Sequence, residues 1–71
     1  MIYERIRNLR EDNDLSQRFI ADYLHCSQVA YSYYELGRRD LPVSVVIRLA
    51  DFYGCSTDYL LGLTDKRERN V

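Results

Sequence analysis

The sequence has no apolar run near the roughly 20 residues needed to cross a bilayer, and it opens on the charged stretch MIYERIRNLR where a secretory signal would be apolar. A membrane-spanning or exported protein is set aside on that ground, and a cytoplasmic location is expected. Cysteine and histidine are scarce: Cys26, Cys55 and His25 are the full set. Without other extracellular marks, both thiols are expected to stay reduced and buried as small hydrophobes. A zinc site would need a fourth ligand and a spacing that these three residues do not offer. A catalytic pair of Cys26 and His25 would sit on one tight turn with no oxyanion donor and no orienting partner. No metal, cofactor or catalysis is therefore expected.

An excess of charge of one sign is also missing. Ten Lys and Arg face eleven Asp and Glu, for a formal net charge of −1 and a pI near 5.7, so the chain carries no overall basic footprint of a nucleic-acid partner. Phosphate contact needs a local cluster, and the adjacent Arg38 and Arg39 provide one. Length is short as well: 71 residues are expected to form one small core, with no room for a small-molecule effector site, so that function lies on the surface. The 46% hydrophobic and 30% charged residues suit a folded globular domain and not a disordered one.

What is present is helical punctuation. Ile2, Ile6 and Leu9 predict a first helix over residues 2 to 13, ended by the turn-forming Asp12, Asn13 and Asp14. Leu15 is placed to staple onto the core ahead of Ser16, a good N-cap for a helix from Gln17 to Leu24 with Ile20, Ala21 and Leu24 inward. His25 and Cys26 make a turn. Ser27 caps a third helix from Gln28 to Leu36, which Gly37 stops. After the loop Gly37 to Pro42, residues 43 to 53 resume helical spacing with Val46, Leu49, Ala50 and Tyr53, while Val45, Ile47 and Phe52 widen the apolar arc. Gly54 ends that helix. Ser56 or Thr57 then caps a short fifth helix ending at Gly62, and residues 64 to 71 read as a charged, solvated tail beyond a domain of residues 1 to 63.

Two short helices meeting across a few residues, here the second and third, form the helix-turn-helix arrangement, in which the first crosses a nucleic-acid backbone and the second enters the major groove. On a wheel of the third helix, Ala30, Tyr31 and Tyr34 share one side, and Gln28, Val29, Ser32 and Tyr33 the other. The second set suits base edges: the Gln28 amide can bond adenine through two contacts, Val29 can meet a thymine methyl, and Ser32 or Tyr33 can donate or accept. Gln17 and Arg18 lie in the first turn of the second helix, where unpaired N–H groups and the helix dipole favour an anion.

On these residues the chain resembles the lambda-repressor-like helix-turn-helix family, the Cro and phage-repressor type called Xre. The resemblance runs from Ile6 to Gly62. Its carriers are Leu9-Arg10, Leu15-Ser16-Gln17, Ala21, Leu24, Ser27-Gln28 and Tyr34-Glu35-Leu36-Gly37-Arg38-Arg39, followed by Leu41-Pro42, Leu49-Ala50, Gly54-Cys55-Ser56 and Tyr59-Leu60-Leu61-Gly62. It implies an all-α bundle of five helices that binds a double-stranded DNA operator as a transcriptional regulator, a repressor or Cro-like switch, commonly as a homodimer. Position by position, it makes Gln28, Val29 and Tyr33 base-reading residues, with Ser32 beside them, and makes Arg10, Gln17, Arg38 and Arg39 phosphate contacts. His25 departs from the family's usual turn glycine, so either it adopts a left-handed conformation or the turn differs. Cys26 and Cys55 stand where valine is usual. The large Tyr33 means that base preference does not carry over from relatives. An alternative is a protein-interaction module on the same scaffold, antitoxin-like or anti-repressor, docking through Val29, Tyr33 and the apolar surplus of residues 43 to 53.

Overall fold

The computed structural model of the chain describes residues 3–68. Among these residues all regular structure is helical, in five elements: α1 (Glu4–Asp12), α2 (Gln17–Leu24), α3 (Gln28–Leu36), α4 (Val43–Tyr53) and α5 (Thr57–Leu60). The boundaries follow from side-chain chemistry. Ser16, Ser27 and Ser56 each accept a hydrogen bond from the backbone N–H three residues on, at 3.0, 3.1 and 3.0 Å, which satisfies one of the orphan donors of a helix start. Of the two candidate caps for α5, Ser56 is therefore the one used. Pro42, with φ −62° and ψ 147°, starts α4 without a side-chain cap; its carbonyl accepts from the Val45 and Val46 N–H groups.

Helices α1 and α5 close on left-handed Asp14 and Gly62, two residues past their ends, and α2, α3 and α4 close in the same way one residue sooner. The residue after each of these three is left-handed: His25 with φ 59°, Gly37 with φ 72° and Gly54 with φ 65°. The N–H one residue further on then donates back across the last turn, from Cys26 to Ala21, from Arg38 to Tyr33 and from Cys55 to Ala50, each at 3.0 Å. This is the Schellman arrangement. Of the two outcomes open for His25, the left-handed one holds.

Each helix contributes to one core, in which Ile6, Ile20, Tyr31, Leu49 and Leu60 are fully buried. Burying each aliphatic side chain contributes about 1.5–3 kcal/mol. Helix α2 packs on α3, α4 on α5 and α1 on α3. A reciprocal pair ties α2 to α4: the Tyr23 hydroxyl donates to the Arg48 carbonyl at 3.0 Å, and Arg48 Nη2 donates to the Tyr23 carbonyl at 2.7 Å. Cys26 and Cys55 remain thiols, half-buried and buried respectively.

Three boundary expectations are corrected. Helix α1 spans Glu4–Asp12, not residues 2 to 13, because Tyr3 takes the N-cap place with φ −99° and ψ 83° and offers no capping side chain, and Asn13 takes the C-cap place; Ile2 lies outside the described residues. Helix α5 ends at Leu60, and the chain leaves through left-handed Gly62 with the Leu63 N–H donating to the Asp58 carbonyl at 2.9 Å. The segment after it is not simply solvated. Arg67 Nη2 donates to the Tyr53 carbonyl at 2.7 Å, the Arg67 carbonyl accepts from the Ser56 N–H at 3.1 Å, and Arg5 Nη1 holds the Thr64 carbonyl at 2.7 Å. Residues 69 to 71 of the expected tail lie outside the described residues.

Candidate nucleic-acid interface

The polarity of α3 is set by what it buries. Tyr31, Tyr34 and Glu35 face inward, so the opposite side is left outward: Gln28 is exposed, Val29 is 61% exposed, and Ser32 and Tyr33 are half-buried. An apolar Val29 kept in water beside an exposed amide is a feature of contact surfaces. The Ser27 cap fixes where this helix begins and thus the direction of Gln28 at its first turn.

At the other end, the Gly37 turn returns the chain over α3 and puts Arg38 and Arg39 in solvent beside the last turn. The Arg39 guanidinium lies 5.6 Å from the centre of the Tyr33 ring. Arg18 is exposed on the first turn of α2, where the leading N–H groups have no intrahelical acceptor. Arg18, Arg38 and Arg39 are thus displayed cations, at the start of α2 and just past the end of α3.

Arg10 and Gln17 are placed differently. Glu35, only 4% exposed, draws both toward itself: Arg10 Nε donates to Oε2 at 2.6 Å, Arg10 Nη2 to Oε1 at 3.2 Å, and Gln17 Nε2 to Oε1 at 3.2 Å. Arg10 Nη1 further donates to the Leu15 carbonyl at 2.8 Å, so its side chain, 13% exposed, is spent on joining α1, the following loop and α3. Burial would push the Glu35 carboxyl up, but Arg10, then the nearby Tyr31 hydroxyl, then Gln17 favour its charged form, outweigh burial and hold the group below the usual carboxylate range. The Tyr31 hydroxyl lies close to this carboxylate without closing a well-formed hydrogen bond; burial first, then the approach of the hydroxyl to Glu35 and the negative charge there, push the phenol far up.

Glu35 is a carrier of the family resemblance, but the sequence patterns give it no role. A signal exists all the same: it shares the stripe of Tyr31 and Tyr34, and a carboxylate on a buried stripe requires a cation. Which cation is not readable, because Arg10 is 25 residues away. A hollow of about 350 Å³ lies over this junction, lined by Glu4, Arg7, Arg10, Gln17, Ser32, Glu35 and Leu36. Among the described residues, no three His, Cys, Asp or Glu side chains gather closely enough to hold a metal ion, and burial pushes the Cys26 thiol up, away from its reactive form. No helix of the described residues is long and apolar enough to cross a membrane.

Comparison with known proteins agrees with this geometry. The chain is similar to an uncharacterized HTH-type transcriptional regulator, YobD, of Bacillus subtilis (strain 168), 32% identical over 71 residues, which is all of this chain and 63% of the relative. It is also similar to the SPbeta prophage-derived uncharacterized HTH-type transcriptional regulator YonR of the same organism, 33% identical over 61 residues, covering 86% of this chain and 56% of that one. A third relative there, the HTH-type transcriptional regulator ImmR, is 30% identical over 67 residues, 94% of this chain and 53% of its own. The chain thus spans between half and two thirds of the length of these relatives. A crystal structure of a transcriptional regulator from Listeria innocua superposes with a TM-score of 0.83 at 26% identity, over 93% of this chain and 62% of that one. The helix-turn-helix family model matches residues 6–60, and the chain belongs to that family.

Proposed function

We propose that the chain binds double-stranded operator DNA as a transcriptional regulator, a repressor in effect, by inserting α3 into the major groove. The observation that carries this reading is the division of α3: Gln28 and Val29 stand in water on the side opposite the buried Tyr31 and Tyr34, with displayed arginines nearby. In this reading Gln28, Val29, Ser32 and Tyr33 meet base edges. Arg18, Arg38 and Arg39 neutralise phosphates, and Gln17 with the first-turn N–H groups of α2 receives one more. Arg10, committed to Glu35, supports these groups from behind the surface. No chemical step is assigned to any of them.

One α3 meets too few base pairs for selective binding, so a two-fold pair of chains on a palindromic site is part of the proposal. Exposed apolar side chains on α4 and just beyond α5, Ile47 and Leu63, support pairing there. Sedimentation at micromolar concentration is expected to give twice the mass of the chain.

The test of roles compares two variants by fluorescence anisotropy against a panel of duplexes. Gln28→Ala is expected to relax preference at one base pair by a factor of roughly 5–150. Arg38→Ala is expected to weaken all duplexes alike and to lower the salt slope by about one for each phosphate it leaves without a cation. Wild-type protein that binds no duplex at low ionic strength would overturn the reading, as would two variants with the same profile. A chain that docks on proteins instead of DNA would show neither effect.

A further inference from the structure

Tyr33 is the largest of the outward residues of α3, and its ring has a neighbour from outside the helix. Left-handed Gly37 allows the Arg38 N–H to donate to the Tyr33 carbonyl at 3.0 Å. That bond folds the loop back over the helix end, and the Arg39 guanidinium comes to lie 5.6 Å from the Tyr33 ring centre, within the distance at which a cation is held by an aromatic face. Arg38, adjacent in sequence and equally exposed, has no such ring contact among the described residues.

We propose that Arg39 is a positioning residue for Tyr33, fixing the phenol against the Gly37 end of α3 and thereby setting which base the hydroxyl addresses. This deepens the duplex reading above and rests on it. A phenol on an exposed helix face has several rotamers open to it, and each would carry the hydroxyl to a different base edge. The planar guanidinium covers one ring face and selects among them, so Arg39 acts on discrimination as well as on charge. The two adjacent arginines then divide the work: Arg38 contributes charge to every duplex equally, and Arg39 also contributes to the choice of sequence.

The experiment measures affinities of wild type, Arg38→Gln, Arg39→Gln, Tyr33→Leu and the double variant Arg39→Gln/Tyr33→Leu on duplexes carrying each of the four bases at every position of a site selected by the wild type. Thermal midpoints of all variants establish that the fold is intact. Arg39→Gln is expected to compress discrimination at the base pair that Tyr33→Leu affects, by about two- to fivefold, the factor corresponding to an exposed cation–π contact. Arg38→Gln is expected to weaken all duplexes by a common factor and leave the preference as it was. In the Tyr33→Leu background, Arg39→Gln is expected to lower affinity without a further change in preference. Equal profiles for Arg38→Gln and Arg39→Gln, or a change in preference that persists without the ring, would overturn the inference while leaving the duplex reading in place. A wild type that selects no sequence would overturn the duplex reading itself and this inference with it.

Discussion

His25 and Glu35 show how single residues hold the reading helix in place, one through backbone conformation and one through buried charge. His25 sits at φ 59° and ψ 40°, a conformation that strains any side chain with a Cβ, though less for histidine than for bulkier types. Three other helices end on the same turn with glycine, at Gly37, Gly54 and Gly62. His25→Gly is therefore expected to relieve the native strain, offset in part by the greater freedom of glycine in the unfolded chain. The net gain should be about 0.5 kcal/mol, a rise in Tm of about 2–4 °C; a thermal melt showing no rise would remove strain from the account of this turn. Glu35 carries more. Losing the carboxylate leaves the half-buried Arg10 with only the Leu15 carbonyl at 2.8 Å and a distant Glu11 at 3.9 Å; breaking a buried pair typically costs about 3–5 kcal/mol, a large share of the roughly 5–15 kcal/mol that holds a small domain together. Glu35→Ala should be largely unfolded at 37 °C by circular dichroism. Because the folded carboxyl lies below its ordinary value of 4.5, its contribution is present above that pH and is lost as the pH falls through the lower, folded value. Wild type should thus lose stability steadily on acidification below about pH 4.5, and Glu35→Gln should lose less over the same interval.

At the scale of elements, what is legible in the sequence is what is local. The three serine caps, the stops at Gly37 and Gly54 and the inward face of α3 all depend on residues within one or two turns, and α2, α3 and α4 begin and end where spacing and caps place them. What is not legible is held across the fold. The pairing of Arg10 with Glu35, the clamp between Tyr23 and Arg48 and the return of Arg67 to Tyr53 join residues 25, 25 and 14 positions apart, and no period in the sequence announces them. The four-residue α5 illustrates the point. It is far below the length at which a helix is stable alone, and Arg5 accounts for its persistence: the guanidinium covers the Tyr59 ring at 4.1 Å and bonds the Tyr59 and Thr64 carbonyls at 3.0 and 2.7 Å. Arg5→Ala removes both carbonyl bonds and the stack. It should cost about 2 kcal/mol in urea unfolding. Amide exchange should rise first at Leu60 and Leu61, whose N–H groups close α5, with α2 and α3 protected as in wild type. Uniform loss of protection would mean that α5 is not a separable unit.

For the whole molecule, the question is how a chain of net charge −1 comes to hold a polyanion. Its longest dimension is 31 Å, and the Debye length decides how much of it the duplex senses. At about 0.01 M salt that length is near 30 Å, so the duplex meets the summed and slightly negative charge; at about 0.15 M it is near 8 Å, and only charges close to the phosphates count. Long-range steering should therefore be weak at any salt, and association should stay within about 10⁵–10⁷ per molar per second. Affinity behaves otherwise, because contact releases counterions from each phosphate that a cation displaces. With Arg18, Arg38 and Arg39 each neutralising one phosphate in both chains of a pair, the logarithm of the binding constant should fall with the logarithm of salt at a slope of about −5. Stopped-flow measurements across that salt range should place most of the change in the dissociation rate. A steep fall in the association rate instead would mean that the arginines act together at a distance, as a field that overrides the acidic remainder of the surface. A slope near zero would mean that they do not touch phosphates at all.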